Sequence, residues 1–262
     1  MKKVFYCIFG LLAATMQSPA APYYLDTFTY PDGPLVGNDS WTVTGTVFTN
    51  PEQVSSGRVP LTTSGQDVNA SIGAPLTIAD GTSFYIGVTI NVSAAQAGGD
   101  YFLHTSPNPG NSSAFFERVF IKSSGAGFLL GYVETSGTGA TTTYGTTVLN
   151  FGTDYRAVIA YNKVAGPLND TASVYVNPTD NLVQGNNTPY LTSTWTSASA
   201  ETNLVGTVNL RQGSATAAAA LIVDDLDLSL TFADAAVIPE PHGLALLGGF
   251  GIVAWSFVRR RK

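Results

Sequence analysis

The chain is short of almost everything that supports nucleophilic or metal chemistry. One cysteine, Cys7, occurs in 262 residues. It falls in the N-terminal segment, so the body that follows has no disulfide and no thiol chemistry. Of two histidines, only His104 precedes the C-terminal segment. That excludes a histidine-rich metal site, and a serine triad built on His104 lacks the nucleophile-elbow sequence. Positive charge is scarce as well. Between Asp26 and Glu240 only Arg58, Arg118, Lys122, Arg156, Lys163 and Arg211 oppose all eighteen acidic residues, which leaves a formal charge near −12. Such a surface argues against nucleic acid, whose phosphates need a basic footprint, and against docking on anionic lipid. No stretch keeps a helical period. The runs Gly98-Gly99 and Gly125-Ala126-Gly127 sit where turns are expected and not between a strand and a helix, so they are not phosphate loops.

Strand signals are what the body has in quantity. In residues 84–92 the apolar side chains of Phe84, Ile86, Val88, Ile90 and Val92 alternate with mostly small or polar ones, the pattern of a half-buried antiparallel strand. Residues 41–48 alternate likewise, with Trp41, Val43 and Val47 on one face and Thr42, Thr44 and Thr46 on the other. Further strands are expected over 23–28, 101–104, 114–121, 127–133, 155–161, 173–176, 203–210 and 221–232. About ten strands separated by turn-rich segments predict an all-β antiparallel sandwich, a jelly roll of two packed sheets, over residues 21–236.

Candidate chemistry in the body is thin. A retaining glucanase supplies its two carboxyl groups as Glu-x-Asp-x-x-Glu along one strand. Here Glu52, Glu117, Glu134, Glu201 and Glu240 are scattered, with no acidic neighbour at that spacing. Glu117 beside Arg118 is expected to form a surface ion pair. Over 221–232, Ile222, Leu226, Leu228, Leu230 and Phe232 would face inward, which puts Asp224 on the same buried face. A buried carboxylate needs a partner. Three resolutions are open: a β-bulge at Asp224-Asp225, an arginine such as Arg58 or Arg156 beside it, or a calcium ion held by Asp224 and Asp225. Six Asn-x-Ser/Thr triplets begin at Asn38, Asn69, Asn91, Asn111, Asn169 and Asn186. Tyr132, Tyr144, Tyr190 and Trp195, in or beside expected loops, are the candidates for stacking against the C–H face of a sugar.

The two ends carry addresses. Lys2 and Lys3 precede an apolar stretch over 4–14 and then Ser18-Pro19-Ala20, so a signal peptide of residues 1–20 is expected, cut between Ala20 and Ala21. At the other end Pro239-Glu240-Pro241 precedes sixteen uncharged residues, 243–258, and then Arg259, Arg260, Arg261 and Lys262. As a helix those sixteen residues would span roughly 24 Å, a minimal transmembrane length, with the basic cluster held on the cytoplasmic side. The prolines keep residues 239–241 out of that helix.

Pro239, Glu240 and Pro241, the single span and the basic stop resemble the tail of bacterial PEP-CTERM proteins. The resemblance covers 237–262. It implies recognition and removal of the tail by a membrane-embedded exosortase, followed by delivery to the cell surface or the extracellular polysaccharide. A second resemblance lies in the body. Leu25-Asp26-Thr27-Phe28 through Gly33-Pro34-Leu35 with Trp41, and the closing Val223-Asp224-Asp225-Leu226-Asp227-Leu228, are similar to the first and last strands of concanavalin A-like, laminin-G-like jelly rolls. Such domains often bind glycans, and some carry calcium at a rim.

Two functions from different classes follow as expectations. The first is a non-enzymatic, exported bacterial surface or matrix protein whose jelly roll contacts extracellular polysaccharide, without a cofactor. It would pass through a stage of single-pass anchoring in the inner membrane. The second is a carbohydrate-active enzyme on the same fold, which requires two carboxyl groups about 5–10 Å apart in an aromatic-lined cleft.

Overall fold

Alternating side chains place one apolar row on each strand face, and a chain with many such rows buries them by laying two sheets face to face. The computed structural model, which describes residues 22–46, 49–108, 114–201 and 203–238, is built this way. In chain order its strands are β1 (Tyr24–Asp26), β2 (Gly33–Pro34), β3 (Trp41–Thr44), β4 (Gln53–Val54), β5 (Val59–Leu61) and β6 (Asp67–Thr77). There follow β7 (Ser83–Ala94), β8 (Asp100–Ser106), β9 (Phe116–Ser124), β10 (Gly127–Thr135), β11 (Thr143–Tyr144) and β12 (Leu149–Asn150). The last are β13 (Asp154–Asn162), β14 (Thr171–Val176), β15 (Leu191–Thr194), β16 (Leu204–Leu210) and β17 (Ala220–Ser229), and a short helix α1 (Phe232–Ala236) closes the described chain.

One sheet of seven strands runs β1-β17-β7-β13-β14-β15, with β5 also paired to β17. The other, of eight, runs β11-β10-β9-β8-β16-β6-β3, with β12 also paired to β10. The first and last strands are neighbours, Leu25 opposite Asp227. Asp26 ties the opening motif together: its carboxylate accepts from the Phe28 amide (2.7 Å), Trp41 Nε1 (2.6 Å) and the Tyr30 hydroxyl (3.0 Å). All-β antiparallel sandwich is therefore the architecture, and its long strand-to-strand crossovers give it jelly-roll character.

The core is the filling between the sheets. From β7 it takes the whole expected row of Phe84, Ile86, Val88, Ile90 and Val92; facing strands supply Leu103, Val119, Ile121, Phe128 and Leu130. Full burial of each such side chain is worth about 1.5–3 kcal/mol. Strand β3 is shorter than expected, because Gly45 turns the chain at φ +75°. Thr44 is consequently buried, its Oγ1 accepting from Asn69 Nδ2 at 2.8 Å; Val47 and Phe48 lie outside the described residues.

In β17 the expected parity is corrected. Leu221 and Val223 point into the core, the register against β7 shifts between Asp224 and Asp227, and after the shift Leu226 and Leu228 point in. The bulge, with Asp225 at φ +45°, switches the inward row from odd to even positions. Asp224 thus leaves the core face, together with Ile222. Leu230 is 52% exposed, and Phe232 belongs to α1.

Helix α1 lies on the back of the seven-stranded sheet. Phe232, Ala235 and Ala236 pack there on Val158, Ala160 and Tyr175, a second apolar cluster outside the sandwich core. Among the described residues no helix is long and apolar enough to cross a membrane. The expected span 243–258 lies outside them, as do Ala20, Ala21, Pro239, Glu240, Pro241, Arg259, Arg260, Arg261 and Lys262.

Candidate functional site

The aspartates of the candidate calcium site are held by other means. Arg58 Nε donates to Asp224 Oδ2 at 2.9 Å, and its Nη2 reaches Asp154 Oδ2 at 3.0 Å. Asp225 donates its amide to Asp224 Oδ1, 2.9 Å. Burial, then the neighbouring Asp224, pushes the Asp225 carboxyl up to about 6. Of the three resolutions, the bulge and the arginine are both present, and they answer Asp224 together. Among the described residues no group of three or more His, Cys, Asp or Glu side chains is placed to hold a metal ion.

Two further cations are spent inside the structure. Arg156, 4% exposed, is ion-paired to Asp227 beneath α1 and donates through Nε (2.9 Å) and Nη2 (2.7 Å) to the Ala235 carbonyl. Gly87 makes room for this, because a Cβ there would collide with the Arg156 guanidinium, the Asp227 carboxylate and the Ala235 carbonyl. Lys163 bridges Asp170 (3.0 Å) and Glu201 (2.8 Å) in a buried cluster.

Several expected positions are corrected. Glu117 does not pair with Arg118. Successive strand residues face opposite ways, so Glu117 is wholly buried between the sheets on the Tyr132 hydroxyl, its carboxyl held well above the usual range by burial, while Arg118 stands on the outer face. Of the four stacking candidates, Tyr132 is core and Trp195 is buried with Nε1 on the Ser199 carbonyl (3.2 Å). Tyr190 is half-buried and donates to the Thr147 carbonyl (2.8 Å). Only Tyr144 lies on an open sheet face. His104 does not end its strand; β8 continues to Ser106 and buries the imidazole. Of the Asn-x-Ser/Thr sites, Asn69 is buried, Asn91 sits within β7, and Asn111 lies outside the described residues.

A partly exposed row of side chains lies on the outer face of the eight-stranded sheet, beside the buried His104, Thr207 and Asn209. Strand β9 turns Glu117, Val119 and Ile121 inward, so Phe116, Arg118, Phe120 and Lys122 form its outer row. Register extends the row across the sheet: Gly131 of β10 lies opposite Phe120, and Phe120 opposite Tyr101 of β8. On the far side of Gly131 is Tyr144 of β11, whose ring needs that glycine, since a methyl there would stand 2.6 Å from it. Tyr101, Phe120 and Tyr144 are each half-exposed. The Tyr101 and Phe120 rings are 5.5 Å apart, and Phe115 lies 6.0 Å from Tyr101.

Cations sit on these rings. The Arg118 guanidinium is 5.3 Å from the centroids of both Tyr101 and Phe120, Arg211 is 4.2 Å from Tyr101, and the Lys122 ammonium is 3.9 Å from Tyr144. Arg211 also pairs with Asp100 at 2.7 Å and approaches Asp67 at 3.7 Å. Behind the rings His104 packs edge-on to Phe115, 4.8 Å between centroids. Burial, then Arg211 and Arg118, brings its pKa down to about 3, so the imidazole stays neutral and backs the platform as an aromatic. Sequence reasoning passed over Tyr101, Arg118, Phe120 and Lys122. The alternation Phe116-x-Arg118-x-Phe120-x-Lys122 was the signal, a single strand face written in rings and cations.

No family model and no curated protein matches the chain. Solved structures do resemble it. An endo-β-1,4-glucuronan lyase from the fungus Trichoderma reesei aligns over 82% of this chain and 98% of its own, at 12% identity and TM-score 0.46. The CBM2 module of the evolved Dit of Lactobacillus casei BL23 phage J-1 aligns over 79% and 94%, at 13% and 0.48. The carbohydrate recognition domain of Emp47p aligns over 80% and 96%, at 11% and 0.46. At this identity and score they share a sandwich outline and assign no residue of this chain a role.

Proposed function

We propose that this is a non-enzymatic glycan-binding protein of the bacterial surface or extracellular matrix, exported through its N-terminal segment and sorted through its C-terminal one. The binding site is the outer face of the eight-stranded sheet. The observation that carries this is the transverse row of partly exposed rings, Tyr101, Phe120 and Tyr144, flanked by the cations Arg118, Lys122 and Arg211. Rings fixed by a sheet offer flat apolar area at little entropic cost, and the flanking cations supply donors for hydroxyl or carboxylate oxygens. Sorting rests on the sequence alone: Pro239, Glu240 and Pro241, the span and the basic stop are the parts an exosortase-type enzyme would read. The membrane is then a temporary partner.

Affinity electrophoresis of the full chain in detergent, through gels containing extracellular polysaccharides, tests binding. Retardation that is lost in a Tyr101→Ala, Phe120→Ala, Tyr144→Ala triple variant is expected; equal retardation of both proteins refutes the site. For sorting, expression in hosts with and without an exosortase should give a shortened protein only in the former. A tail retained in both refutes that part.

One observation favours a second reading as a carbohydrate-active enzyme. Beside the rings, burial pushes the Asp67 carboxyl up to about 6 against the pull of Arg211, and Asp100 lies across the same guanidinium. An acid raised by burial beside a second carboxyl group is the arrangement from which a general acid and its counterpart are drawn. Release of reducing ends from polysaccharide, abolished by Asp67→Asn, would establish it in place of simple binding.

A further inference from the structure

We infer that the ring platform selects acidic glycans, polysaccharides whose sugars carry carboxylates, through Arg118 and Lys122. The inference rests on the binding reading above and names its ligand class. It starts from an audit of positive charge. Of the six cations in the body, Arg58, Arg156, Lys163 and Arg211 are each ion-paired to at least one carboxylate. Arg118 and Lys122 make no ion pair among the described residues. In a domain with a threefold excess of acidic over basic residues, an unpaired cation is unusual, and both unpaired ones stand on one face of one strand.

Their geometry suits a linear anionic polymer. Four residues apart on β9, they are separated by about 13 Å along the strand, with Phe120 between them. Each is fixed over aromatic rings, so each is positioned before a ligand arrives. Arg118 uses Nη2 on the Thr135 carbonyl (2.6 Å), and its buried Nε finds no acceptor. A sugar stacked on Phe120 would place acidic substituents of its neighbours toward the two charges, whereas a neutral glycan would leave both unmet. The neighbouring Asp100 is committed to Arg211 at 2.7 Å, and at physiological ionic strength acidic groups beyond roughly 8 Å are largely screened.

The test uses the full chain in detergent and five probes: a neutral β-linked glucan oligosaccharide, the same chain oxidised to carboxylates at C6, a sulfated glucan, duplex DNA and polyglutamate. Calorimetry should show the carboxylated chain binding about tenfold or more tightly than the neutral one, as expected for charge-assisted hydrogen bonds. That preference should shrink with added salt and vanish in Lys122→Gln and in the Arg118→Gln, Lys122→Gln double variant; a fall by the same factor for neutral and carboxylated chains, which keeps the preference, overturns the inference. Lys122 is partly exposed and its ammonium makes no ion pair among the described residues, so its single variant keeps the test valid if the double variant misfolds. Equal affinity for neutral and carboxylated chains overturns the inference and leaves the glycan-binding reading standing. Tighter binding of the sulfated chain, of duplex DNA or of polyglutamate also overturns it, since the face would then be a general anion patch. Binding of no glycan at all overturns both.

Discussion

The two outer faces of the sandwich treat charge in opposite ways. On the seven-stranded sheet every cation is matched: Arg58 lies between Asp154 and Asp224, and Arg156 is sealed with Asp227 under α1. On the eight-stranded sheet Arg211 is paired with Asp100, while Arg118 and Lys122 rest on rings with no carboxylate partner among the described residues. Buried ion pairs are costly to form and costlier to break, so they report on construction. Partly exposed cations held on aromatics contribute little to stability. One back of the sandwich is closed by ion pairs and a helix, and the other carries rings and cations at its surface.

Breaking the closed side should give the largest effect. Arg156→Leu leaves the Asp227 carboxylate buried alone and should cost roughly 3–5 kcal/mol in denaturant titration. Gly87→Ala should approach that loss, because the new methyl displaces the same pair. Neither should change glycan affinity of the fraction that remains folded. Next comes the open side, where Tyr101→Ala removes the ring shared by Arg118 and Arg211 and should weaken glycan binding by about 1–2 kcal/mol in calorimetry.

One group at each face should respond to pH with opposite sign. Asp225, behind the seven-stranded sheet, is raised to about 6. Its protonated form is favoured by folding, so its contribution is complete below the ordinary aspartate value of 3.8 and is lost as pH climbs through about 6. His104, under the eight-stranded face, is depressed from 6.5 to about 3; its contribution is complete above 6.5 and is lost as pH falls toward 3. Stability measured against pH should lose part of the first slope in Asp225→Asn, a residue that tolerates the left-handed backbone there, since Asp67 and Asp227 are raised to about 6 as well, and should lose the second in His104→Phe. A shared slope, moved by neither variant, would dissolve the contrast. The smallest effect is expected from Lys122→Gln, within about 0.5 kcal/mol of the unaltered protein in the same titration; a larger loss would make that lysine structural.

The sandwich and its long strands were legible because their inward rows are unbroken: all five apolar positions of β7 reached the core. Legibility failed where backbone overrode pattern. Strand β6 begins with the alternation Val68, Ala70, Ile72, but Gly73 at φ +82° and Pro75 disguise its continuation to Thr77, which pairs with β16 only across a register shift. In β17 the bulge at Asp225 inverted the parity that a straight reading assumes. The site was harder still. Tyr101, Phe120 and Tyr144 come from three separate strands, and only lateral register makes them a row. Glu117 and Arg118 show the converse: neighbours in sequence, they are parted by the pleat.

Helix α1 has a geometric consequence. It packs on the back of one sheet, the ring row occupies the back of the other, and Ile238 follows α1 by two residues. Any tether continuing from Ile238 therefore departs from the antipode of the platform. A molecule pinned by that end would hold its rings and cations outward like an open palm, facing the medium and turned from whatever anchors it.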